Sequence, residues 1–181
     1  MTRRQLLLTT ALGLGLVAFD GSVGNQPAFA IGPDQEHAEL ANALSAAKVS
    51  LQQGLVASEA EGQPTSGKFE VEGGKLQLSV YVAMEGKFFE VIVDHLTGKI
   101  AKVEPINEGE DLSHAKSQKA AMDRAKVKLA DAAVKSMGQA KGQAGNVLIV
   151  SAVPELKDDR PEAVIVLLAG KQFSTVSERL D

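Results

Sequence analysis

From Leu76 to Met84 the chain alternates without a break: Leu76, Leu78, Val80, Val82 and Met84 interleave with Gln77, Ser79, Tyr81 and Ala83. A period of two sends successive side chains to opposite faces of an extended backbone, so this run predicts a half-buried strand. Its surroundings make it part of a sheet. Glu85-Gly86-Lys87 has turn chemistry, and Phe89, Val91 and Val93 then alternate with Phe88, Glu90 and Ile92. Asp94 to Lys99 forms a second turn, and Ile100 to Glu104 a last short strand. Connections this tight join antiparallel neighbours and predict a meander.

Such a sheet needs a cover for its apolar face. Upstream, Leu40, Leu44, Ala47 and Leu51 recur at four, three and four residues. That is the stripe of an amphipathic helix, with Asp34 as its cap, Glu36 in its first turn and Gly54 as its stop. Residues 57–67, polar and holding Gly62, Pro64 and Gly67, read as a loop or an irregular edge strand.

The same order then recurs. Pro105 to Glu110 is an acidic linker, and Asp111 or Ser113 caps a long second helix with Met122, Ala125, Leu129, Ala133 and Met137 on one side. Gly138, Gly142 and Gly145 break it; Val147 to Val153, Ala163 to Ala169 and Gln172 to Val176 read as strands. Pro154 to Pro161 reads as a solvated hairpin loop. Short matches echo the order. Ala47-Lys48-Val49-Ser50-Leu51 returns as Ala125-Lys126-Val127-Lys128-Leu129, Val91-Ile92-Val93 as Val164-Ile165-Val166, and Gly98-Lys99 as Gly170-Lys171. The chain therefore reads as α+β: tandem helix-plus-antiparallel-sheet units, each a helix packed on a small meander. Unit one spans residues 31–106 and a degenerate unit two 107–181. A single domain without duplication is the alternative.

Residues 1–30 stand apart. Arg3 and Arg4 open the chain, an uncharged apolar run extends from Leu6 to Phe19, and Ala28-Phe29-Ala30 offers a small-x-small cleavage site. The run falls short of the roughly twenty residues that span a bilayer, so the segment reads as a signal peptide cleaved after Ala30. The paired arginines also resemble the twin-arginine export motif. The expected location is periplasmic or secreted, with no membrane anchor after cleavage. The whole chain carries a net charge of −4, which disfavours nucleic acid and anionic membranes as partners. It has no cysteine, so it offers no disulfide, thiolate nucleophile or cysteine-held metal.

Lys87-Phe88-Phe89-Glu90-Val91-Ile92-Val93-Asp94 followed by Leu96-Thr97-Gly98-Lys99-Ile100 is similar to the closing hairpin of the PepSY domain. The resemblance covers residues 36–104. In the second unit Leu167 and Leu168 stand where the aspartate would be, and Ala169 precedes Gly170 in place of threonine. The resemblance implies a module rather than an enzyme. PepSY domains occur in propeptides that restrain thermolysin-like proteases, in membrane proteins and in small secreted proteins. From the residues themselves, Asp94, Thr97 and Gly98 have a structural role: Asp94 and Thr97 accept backbone hydrogen bonds, and Gly98 supplies a positive φ.

Candidate chemistry is sparse. His37, His95 and His114 lack the i, i+4 spacing of paired metal ligands. There is no G-x-S-x-G, and Glu108, Glu110 and Asp111 sit in a linker that reads as solvated. No cofactor, metal or catalytic residue is expected. Two roles remain open. One is a non-enzymatic binding or regulatory module for another exported protein, such as a peptidase, with Tyr81, Gln77 and Ser79 on the outer sheet face as its contact. The other is a small-ligand sensor or binding protein, which would need a concave pocket between helix and sheet.

Overall fold

The computed structural model describes residues 33–139 and 146–181. The expected signal peptide and cleavage site, and the expected breaks at Gly142 and Gly145, lie outside the described residues. Among the described residues, four helices and seven strands follow one another as α1 (Pro33–Leu44), α2 (Leu51–Ser58), β1 (Gln63–Glu72), β2 (Lys75–Met84), β3 (Lys87–Val93) and β4 (Ile100–Ile106), then α3 (Gly109–Arg124), α4 (Leu129–Ser136), β5 (Val147–Lys157), β6 (Arg160–Ala169) and β7 (Gln172–Arg179). The strands form one antiparallel sheet in the order β4-β3-β2-β1-β5-β6-β7. The class is α+β, with helices packed on the sheet.

The expected alternation sets the register. Leu78, Val80 and Val82 lie opposite Val93, Val91 and Phe89, and the aliphatic members of this set are sealed from solvent. Helix α2 covers them so closely that a Cβ on Gly54 would stand 2.6 Å from Leu78 Cδ2. Helix α4 lies on the same face, where Lys135 Nζ reaches Glu178 Oε2 at 2.7 Å. The opposite face is covered too. Ser66 Oγ donates to Gln118 Oε1 of α3 at 2.7 Å, and the His37 ring of α1 stacks on Phe173 at 4.6 Å.

Each expected long helix is in fact two. Ser50 caps α2 with a full capping box, its hydroxyl accepting from Gln53 N–H while the Gln53 side chain accepts from Ser50 N–H. The N–H groups of Lys48 and Val49 donate to the His95 carbonyl at 2.9 and 3.0 Å. Those of Lys126 and Val127 donate to the Leu180 carbonyl at 2.6 and 3.0 Å. The recurring Ala-Lys-Val segments are therefore extended crossovers that take the chain from one face of the sheet to the other.

Two strand assignments also change. Residues 63–72 form β1 at the centre of the sheet, with an irregularity between Pro64 and Ser66 that absorbs the proline. The supposed loop at 154–161 is mostly strand, reduced to a two-residue turn at Asp158 and Asp159, both with positive φ.

The halves share a layout. Two helices are followed by hairpins at Gly73-Gly74 and Glu85-Gly86 in one half, at Asp158-Asp159 and Gly170-Lys171 in the other. Each position lies 85 residues beyond its counterpart, as does Leu180 beyond His95. Gly67 and Ala152, counterparts under the same shift, face each other where β1 meets β5, the arrangement of a two-fold axis through that ladder. Two of the short sequence matches fall out of step with this frame. Val91–Val93 belongs to β3 but Val164–Val166 to β6, and Gly98 lies beyond β3 whereas Gly170 joins β6 to β7.

Candidate functional site

Of the residues expected to form an outer contact face, Tyr81 and Ser79 are buried, Tyr81 beside His114 and Gln118 of α3, and Gln77 is half-buried. Tyr81 is only 6% exposed. It borders a cavity of about 20 Å³ with Ser66, Lys68, His114, Gln118 and Val153, space for about one water molecule. Ser79 is fully buried; its hydroxyl donates to Glu70 Oε1 and accepts from Gln77 Nε2, both at 2.9 Å. Lys68 Nζ completes the row 2.6 Å from Glu70 Oε2. These polar groups satisfy one another across β1 and β2, as buried polar groups must. The expectation of an open face failed because a single helix per unit was expected, and the second helix of each pair was not foreseen.

The turn residues stand as their chemistry requires. Asp94 Oδ1 accepts from the N–H of Leu96 at 2.8 Å and of Thr97 at 3.1 Å. Those amides, Leu96 first, hold its carboxyl below the usual carboxylate range. Thr97 Oγ1 accepts weakly from Lys99 N–H at 3.4 Å, and Gly98 has φ +74°. The aspartate is thereby occupied with its own turn.

An open cleft of about 360 Å³ lies where α2, α4, the end of α3 and the start of β1 meet. Leu55, Pro64, Met122 and Leu129 give it apolar walls, and Glu59 and Lys128, paired at 3.0 Å, stand at its side. Its volume is in the range of small-molecule sites. Its lining is gathered from four separated segments, so no local motif announces it. Among the described residues no three histidines or carboxylates gather as a metal site would need, and no helix is long and apolar enough to cross a membrane.

The sheet also has two ends. β4 pairs only with β3, and β7 only with β6, among the described residues. No protein-family model, curated protein or solved structure matches the chain.

Proposed function

We propose that the exported chain is a non-catalytic binding and regulatory module that recognises another exported protein through an open end of its sheet. The observation that carries this reading is the division of the surface. Both sheet faces bear helices, while among the described residues the end strands β4 and β7 each have a neighbour on one side only. Unpaired strand backbone takes up extended segments of other chains. The PepSY-like hairpin at Phe88–Ile100 points to a peptidase as the first partner to try. The test uses the mature protein, residues 31–181, immobilised and exposed to a periplasmic extract. A partner should be retained, and if it is a peptidase its activity should fall saturably as mature protein is added. Catalytic turnover by the mature protein alone would overturn the reading.

The cleft beside Leu55, Met122 and Leu129 favours a second reading, a small-ligand binding protein. An amphipathic ligand could bury its apolar part there and meet Glu59 or Lys128 with its polar part. Substituting Met122→Glu would then abolish ligand binding while leaving partner capture intact.

A further inference from the structure

β3 and β7 hold equivalent places. Each is the third strand of its half and follows a two-residue hairpin, and the carbonyl just beyond it anchors a crossover. Phe88 opens β3 beside Ala83 and Ala115; its counterpart Phe173 opens β7 opposite Leu168 and under His37. The equivalence stops at the next step. β3 carries β4 along its outer edge, paired from Phe88 with Ile106 to Val93 with Ile100. Among the described residues β7 pairs with β6 alone.

The two end strands also differ in chemistry. β4 bears Lys102, Glu104 and Pro105 on its edge, charges and a missing donor that discourage a further strand. From Gln172 to Ser177, β7 has no charge and no proline.

We infer that the outer edge of β7 is a peptide-binding site, which takes an extended segment of a partner protein as an antiparallel eighth strand in the place β4 occupies beside β3. The inference rests on the binding-module reading above and names the site. The β3–β4 pair shows what fits: Ile106 faces Phe88 and Val103 faces Val91. Shifted to the second half, these contacts ask for an apolar residue opposite Phe173 and a β-branched one opposite Val176. Uncharged polar residues suit the positions beside Thr175 and Ser177. A second copy of the chain fits less well. Pairing β7 with itself about a two-fold axis sets same-face residues opposite each other. The registers of greatest overlap, centred on Thr175 or Val176, then bring Arg179 beside Lys171 or Phe173.

The probe is a synthetic peptide with the sequence of residues 98–107, which includes β4, carrying Lys102→Thr and Glu104→Thr so that uncharged polar residues meet Ser177 and Thr175, added to the ¹⁵N-labelled mature protein. Amide shifts should concentrate at residues 172–177, and the outward amides there should exchange about tenfold more slowly or better. N-methylation at alternate residues on one side of the peptide should abolish binding, and on the other side should leave it. The variant Thr175→Lys with Ser177→Lys, both exposed positions, should weaken binding at least about tenfold with an unchanged melting temperature, since edge charges oppose strand addition. Shifts confined to β4 or to the Leu55–Met122 cleft overturn the site. So does an absence of shifts up to about 1 mM peptide, or self-association of the protein relieved by the lysine variant. Partner capture separates this site from the reading beneath it. If wild type and lysine variant retain the same partner equally, the β7 site is wrong and the binding module stands. If wild type retains no partner while the peptide still binds β7, the site stands and the wider reading falls.

Discussion

The turn from Asp94 to Lys99 shows how much one residue decides. Gly98 sits at φ +74°, and an added Cβ would lie 3.6 Å from Val49 Cγ2, an ordinary contact. Backbone strain, not collision, is therefore what a side chain would add. Gly98→Val should cost about 1–2 kcal/mol, lowering the melting temperature by several degrees; an unchanged melting curve would contradict the strain account. Asp94 adds a pH dependence. Its carboxyl is depressed in the folded state by the Leu96 and Thr97 amides, so its ionised form favours folding above the unfolded-chain value of about 3.9. That contribution is lost as pH falls through the lower folded value. The melting-temperature gap between wild type and Asp94→Ala should be constant from about pH 5 to 7 and narrow below about pH 4; a gap that widens in acid would refute the assignment. This turn was legible in the sequence because Asp94, Thr97 and Gly98 each supply a local requirement. Tyr81 was not, because its burial depends on His114 and Gln118 of α3, more than thirty residues away.

At the scale of elements, alternation identified β2 and β3, whose apolar faces are set by neighbours close in sequence, and the apolar runs between turns marked β4, β5, β6 and β7. It missed β1. Gly62, Pro64 and Gly67 look like loop residues, yet Gly67 belongs in the sheet because α2 presses on it, with Leu55 Cδ2 3.1 Å from where a Cβ would stand. The helix breaks were hidden for a related reason: the apolar spacing from Leu40 to Leu51 suits one helix, and only the distant His95 carbonyl gives the crossover amides a better partner. Gly54 tests this packing. Alanine there gains about 1 kcal/mol of helix propensity, but its Cβ would meet Leu78 Cδ2 at 2.6 Å in a fully buried site. Overpacking of this kind costs about 1–3 kcal/mol. Gly54→Ala should therefore lower stability in denaturant unfolding, and Leu78→Val should cost less in the Gly54→Ala background than in wild type. Purely additive effects would mean the contact is looser than it looks.

For the whole molecule, the sequence carried the α+β class and the hint of two similar halves, but not how the halves join. A sequence order of helix, strand, strand, strand leaves open whether two small sheets stand apart or merge. Merging depends on the pairing of Gly67 with Ala152 and Lys68 with Ser151, which no local pattern encodes. That junction gives the sheet two distant ends: β4 bears charges and a proline, whereas β7 has neither from Gln172 to Ser177 and carries its charges, Glu178 and Arg179, only at its close. With both faces clothed in helices, the account places recognition at an end. The most direct measurement is hydrogen–deuterium exchange of residues 31–181 with and without a partner protein captured on them. The account predicts that exchange slows in an end strand, foremost residues 172–179. Slowing confined to residues 55–64 and 122–130 around the cleft, with both end strands unchanged, would contradict it.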